Sequence, residues 1–392
     1  MTTPLRAAAE RRRPSITRMD VWALLVPFLA DGAVMTATIG FPLAAIRLDA
    51  TPQQLGIVGA ASPLAFVAAC LTLGHLSDGW GRRGVGVAGT LALILALGAA
   101  YHAGSVTTLA VAAALVGVAG GIFWPAVEGG IADAYGHGPL GRGLFLFNIG
   151  WTGGMSLGAW AGGQLADLSP SLPFAAGAGV TLVMLPLVAA WPASTPDGKD
   201  EHPPAAAPVP LPVVDRFLLF ARIANCGTYF GVACLRTLFP KLGTELGFSG
   251  SEIGLLVALL SFTQTLAFYP LIRSRRWQYR LGPLLATELV MALALVGIAR
   301  ASAPLAFMAL LAVLGAGSGL TYLASLFYSL NRPTDRGKMG ALHEAFLGGG
   351  SMLGPLLGGT LAQHTNLRAP YLLCAVVMVV AALIQVALRP KR

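Results

Sequence analysis

Asp31 stands in the middle of a long apolar run, FLADGAVMTATIGF, where a carboxylate must be paired, wetted or neutralised by a proton. That requirement makes it a candidate proton carrier, with Met35 one turn further along the same run. Arg222 stands in a second such run, and Asn225 and Tyr229 follow at i+3 and i+7, so one helical face there is polar. An acid and a cation in separate apolar runs make a pair that an arriving proton or anionic substrate would break. Glu128 lies one turn after Trp124, and Tyr322 and Ser325 share a helical face. Aromatic rings on two walls suit a flat or amphipathic organic substrate. Glu128 is a second candidate proton site, closer to a helix end. His343 and Glu344 open another apolar run, and with no third ligand in sight they read as gate residues rather than a metal site.

Enzyme chemistry finds no support. The sequence holds no Walker A, H-E-x-x-H or C-x-x-C pattern. Gly154-Met155-Ser156-Leu157-Gly158 has the letters of a nucleophile elbow but lies within an apolar run with no strand before it. Without an ATP site, uphill movement of a solute must draw on an ion gradient. Protons are the expected ion, and no cofactor is expected.

The elements that carry these residues follow from composition. The chain is 55% apolar and only 11% charged, with a mean hydropathy of +0.71. Soluble domains carry about a quarter charged residues. Twelve apolar runs are long enough to cross a bilayer as helices. Six cover roughly 20–46, 53–75, 85–102, 106–131, 143–166 and 172–191, and six cover 214–238, 251–272, 282–299, 304–329, 340–363 and 370–388. The expected fold is an all-α integral membrane protein of two pseudo-symmetric six-helix bundles. Its parts are an N-terminal segment (1–19), a first bundle (20–191), a Pro-rich linker (192–213), a second bundle (214–388) and a tail (389–392).

Internal repetition supports two copies. At an offset of 198, Phe41/Phe239, Pro42/Pro240, Gly56/Gly254 and Ala60/Ala258 are identical. At an offset of 196, Gly154/Gly350, Gly158/Gly354, Gly162/Gly358 and Gly163/Gly359 match. Glycines at i, i+4 and i+8 give a face on which another helix backbone approaches closely. Thr51 with Gln54, and Ser249 with Glu252, read as capping boxes that open spans two and eight. Parallel six-helix copies meet at a central interface, which is where such bundles place a solute.

The net charge of +9 reflects topology, not a nucleic-acid partner. Twenty Lys and Arg fall on the side of the two termini and five on the other, among them Arg47, Arg236 and Lys241. By the positive-inside rule both termini are expected in the cytoplasm, in a plasma (inner) membrane. The expected partners are lipid and a small organic substrate, with the chain a monomer. The four cysteines all fall inside spans and read as packing residues.

One loop carries a specific motif, Gly74-His75-Leu76-Ser77-Asp78-Gly79-Trp80-Gly81-Arg82-Arg83, between spans two and three. It resembles the loop signature of the major facilitator superfamily, with Gly79 where that family usually has Arg. The resemblance implies an alternating-access transporter in which Gly74, Asp78, Gly81, Arg82 and Arg83 form a cytoplasmic gate. It also implies that Asp133 and Arg142 form an acid–base pair, and that spans one, four, seven and ten line the cavity. Asp31 and Arg222 would then face each other across it. Aligning Gly117 with Gly315 in the two copies makes Trp124 the expected pseudo-equivalent of Tyr322. GGMSLGAWAGG in span five is similar to the glycine motif of the drug-exporting antiporter branch, with Ala159 in place of Pro. The family's proton-linked members often carry an Arg in span four where this chain has Ala113. The leading expectation is proton-coupled export through Asp31. The alternatives are uptake of an anionic metabolite bound by Arg222, and a membrane sensor that moves no substrate.

Overall fold

A chain crossing hydrocarbon must satisfy its own backbone, and helices do so within one segment. In a computed structural model, residues 16–73, 76–135, 141–191, 209–330 and 336–389 are described. Gly74, the side chain of Asp78 and linker residues 192–208 lie outside the described residues. Within them the first bundle holds α1 (Arg18–Arg47), α2 (Pro52–Leu73), the short α3 (Leu76–Trp80), α4 (Arg82–Tyr101), α5 (Val106–Tyr135), α6 (Arg142–Leu168) and α7 (Leu172–Ala189). The second holds α8 (Leu211–Glu245), α9 (Gly250–Arg273), α10 (Leu281–Ile298), α11 (Pro304–Leu330), α12 (Arg336–His364) and α13 (Ala369–Ala387). Eleven of these helices are long and apolar enough to cross a membrane by that measure alone. The remaining long helix, α6, is diluted by the glycines that pack it.

Helix starts are written locally. Ser249 accepts from the Glu252 backbone N–H while the Glu252 carboxylate accepts from the Ser249 N–H, and Thr51 with Gln54 does the same at α2. A third box, Thr17 with Asp20, opens α1.

Glycine spacing sets the helix pairs. A methyl on Gly154, Gly158 or Gly162 of α6 would strike the carbonyl oxygen of Phe28, Gly32 or Thr36 on α1. In the second bundle, methyls on Gly350, Gly354 and Gly358 of α12 would strike Cys226, Phe230 and Cys234 on α8. The bundles themselves join on the side away from the termini. Gly56 of α2 lies backbone to backbone against Gly359 of α12, and Gly163 of α6 does the same against Gly254 of α9. Beside the second pair, Asp167 at the end of α6 accepts from the N–H groups of Gly250 (2.7 Å) and Ser251 (2.8 Å) and from the Ser251 hydroxyl. A carboxylate on the first-turn donors of another helix is a favourable charge–dipole contact, and here it ties one bundle to the other.

Candidate functional site: a central cavity between the bundles

Tyr322 of α11 is the hub of an aromatic cluster drawn from five helices. Its ring centre lies 4.8 Å from Trp151 on α6, 6.3 Å from Tyr229 on α8, 6.1 Å from Phe268 on α9 and 5.2 Å from His343 on α12. Trp151 alone comes from the first bundle, so this ring pair spans the interface. Trp124 does not meet Tyr322 in this way. It packs edge-on to Phe123 and Phe147 within its own bundle, and Trp151 takes the place on the wall expected of it.

Asp31 is buried midway along α1. The Trp151 indole donates toward its carboxylate, and the cation whose charge reaches it is Arg236. One carboxylate oxygen, Oδ2, is left without a hydrogen-bond partner, as is Nε of Arg236. The expected counter-charge was Arg222, which instead lies over the Phe346 ring, 5.9 Å from its centroid, and reaches His343 electrostatically. Arg236, assigned from sequence to the far-side loops, therefore belongs to the membrane interior. The reason is length: α8 continues to Glu245, nine residues past Arg236 and about 14 Å at 1.5 Å per residue.

Glu128 lies in the last third of α5 and is exposed. Its carboxylate feels those of Glu344 and Asp31. His343 is almost fully buried, its Nδ1 hydrogen-bonded to the Ser325 hydroxyl at 2.8 Å, while Nε2 lies 3.9 Å from Glu344. His343 thus packs on Tyr322, with Glu344 next to it. Asn225 is fully buried with both amide atoms unpartnered, and Met35 packs in the main apolar core. Gln264 donates to the Tyr229 hydroxyl at 3.4 Å and Arg236 donates to Ser261 at 3.2 Å, so α9 also reaches the site.

On the side of the termini the charges pair differently from the expectation. Asp133 accepts from Nε of Arg82 at 3.2 Å, and Arg142 pairs with Asp20 at 2.9 Å. Asp133 and Arg142 are thus each taken by another partner. Gly81 caps α4 with φ +83°, a conformation that favours glycine, as a sharp reversal there requires.

Sequence reasoning missed Arg236, Trp151 and Gln264. Arg236 had a signal: it lies fourteen residues after Arg222, close to four full turns, so it continues the polar stripe of Arg222, Asn225 and Tyr229. Glu288 was also passed over. It is fully buried on α10, where the Gln385 amide of α13 donates to both carboxylate oxygens at 2.7 and 2.8 Å.

No curated protein matches this sequence. Among solved structures, a mutant form of the nucleoside transporter NupG superposes with a TM-score of 0.68 at 15% identity, covering 94% of this chain and 99% of that one. The human organic anion transporter MFSD10 (TETRAN) gives 0.63 at 15% identity, over 94% and 98% of the two chains. At these identities the likeness establishes the fold alone. A sequence model of the Major Facilitator Superfamily matches residues 23–225 and 221–392, nearly the whole chain. The chain therefore belongs to the Major Facilitator Superfamily and is a secondary transporter of a small molecule.

Proposed function

We propose that this transporter couples its substrate to protons, with Asp31 as the proton carrier and Arg236 as its counter-charge. The observation behind this is a mid-membrane carboxylate with one oxygen unpartnered and, among the described residues, Arg236 as the cation that acts on it. A charge so placed is costly in hydrocarbon and marks an ion path by default. Glu128 is a second proton site, close enough to Asp31 and Glu344 for their charges to interact. The substrate is a small organic molecule held among Trp151, Tyr229 and Tyr322, with both termini in the cytoplasm of a plasma membrane and the chain a monomer. Arg82 and Asp133 help to hold the gate on that side. The expectation of export rests on the span-five glycine motif, whose glycines seat α6 against α1.

The test is reconstitution into liposomes loaded with a pH-sensitive dye, screened with pooled metabolites and organic ions. Asp31→Asn is expected to abolish substrate-dependent proton flux while substrate binding survives. Undiminished gradient-driven transport in that variant would sink the reading. The sign of the dye signal in the unaltered protein separates exchange from co-transport.

A further inference from the structure

A space lies between the aromatic cluster and the far-side seam. It is a cavity of about 150 Å³ whose polar walls are Arg236, Tyr229, Thr38, Ser62, Thr237 and Ser351. They come from α1, α2, α8 and α12, so both bundles contribute. At its far end Thr237 packs on Gly59, next to the glycine contact of α2 with α12. A volume of about 150 Å³ is enough for a benzene-sized group.

The charges at this cavity do not balance in the way the pairing on the side of the termini does. Arg236 offers its guanidinium to the space and uses one terminal nitrogen on Ser261, yet Nε has no partner. A buried donor left unmade costs about 1–3 kcal/mol, more when it is charged, so it calls for an acceptor. Asp31 is the protein's own acceptor of choice, but it does not close a hydrogen bond on Nε. The groups that face Asp31 are Arg236 and Tyr229 from α8, Glu128 from α5 and Tyr322 from α11, with the Trp151 indole donating from α6. Arg236 is the cation among them. A planar guanidinium matches a carboxylate in two parallel hydrogen bonds, a fit that neutral groups do not reproduce.

Resting on the proton-coupled reading above, we infer that the cavity at Arg236 is the subsite for the anionic end of an organic-acid substrate, which replaces Asp31 as the counter-charge of that arginine. When the substrate anion sits on Arg236, the Asp31 carboxylate loses its counter-charge and takes a proton. When the anion leaves, Asp31 releases the proton and returns to Arg236. Proton and substrate anion are then bound together and cross together, which is co-transport: an inward proton gradient drives uptake, so the inference keeps the coupling read above and departs from the expectation of export. Flat ring systems fill the space, with the acid group on Arg236 and the ring toward Tyr229 and the aromatic cluster.

Benzoate is the probe, with benzamide as its neutral isostere and benzylamine as its cationic one. Calorimetric titration of the full-length protein in detergent, repeated in two buffers of different ionisation enthalpy, counts the protons taken up. Benzoate is expected to bind at least about tenfold tighter than either analogue, with about one proton taken up per benzoate. Asp31→Asn should keep benzoate binding, lose the proton uptake and flatten the pH dependence. Arg236→Gln should lose the preference for benzoate, and Arg236→Lys should recover part of it, with thermal unfolding confirming that both variants are folded. Equal binding of benzoate and benzamide, no binding of benzoate at millimolar concentration, or full benzoate binding in Arg236→Gln would each overturn the subsite. Benzoate binding without proton uptake would overturn the exchange of counter-charges. Because these readouts need no flux, a transporter that moves protons with another substrate yet ignores benzoate refutes the anion subsite and leaves the coupling standing.

Discussion

At the scale of single residues, the charges near the termini act as small anchors. Asp20 accepts from the Thr17 backbone and hydroxyl, from the Tyr135 hydroxyl at 2.7 Å and from Arg142 at 2.9 Å, and it is nearly buried. One side chain thus caps α1 and fastens the ends of α5 and α6 to it. Asp20→Asn is expected to cost about 1–3 kcal/mol, because it removes the charge from several short hydrogen bonds at once. Thermal unfolding in detergent reads this loss, whereas an exposed acid such as Asp49 should give little change when neutralised. Asp31 was legible without a structure because any acid in hydrocarbon must answer for its cost. The identity of its partner was not. Arg222 and Arg236 both lie on one stripe of α8, and only the depth of each in the bundle decides which reaches α1. Asp133 and Arg142 failed for a related reason. The family resemblance implied a pair, but which helix ends converge is a tertiary matter, and each found its partner on another helix.

At the scale of elements, most helix ends were legible to within a few residues, since length in hydrocarbon and local caps fix them, but α8 runs on to Glu245 past the expected end at 238. The glycine ladder was legible as a close-packing face, but its target was not. Phe28, Gly32 and Thr36 step by four residues against Gly154, Gly158 and Gly162, and the same register recurs in the second bundle. Gly158→Val is therefore expected to push α6 off α1, destabilising by about 1–3 kcal/mol or more, as overpacking does. The same substitution at Gly179, where an added Cβ meets nothing, should be tolerated. Comparing the yield of folded protein and the unfolding temperature of the two variants checks this. Comparable stability of both variants would show that the ladder is not what sets the α1–α6 spacing.

At the scale of the whole molecule, the two halves and their pseudo-symmetry were written in the repeated stretches. Which side of the interface stays closed was not, because one sequence must serve both states of an alternating cycle. The closed side is held by Gly56 against Gly359, Gly163 against Gly254, and the Asp167 carboxylate on the start of α9. Asp167→Ala removes a charged cap of about 1 kcal/mol, a shift of several-fold between two conformers. Spin labels at Gln164 and Glu245, both exposed and on opposite bundles at the α6–α9 flank, are expected to show a larger population of long distances in the variant. An unchanged distance distribution would remove Asp167 from the closure.

The repeat adds one more thing to that closure. The offset of 196 that relates Gly163 to Gly359 also relates Asp167 to Gln363, a neutral side chain. The two flanks of the far seam are thus copies in shape but not in charge. Salt at physiological strength and above screens an exposed carboxylate and leaves packed glycines alone. The far seam is accordingly expected to behave as a door, hung on the α2–α12 flank and latched on the α6–α9 flank, with the ionic strength on that side of the membrane setting how firmly it is shut.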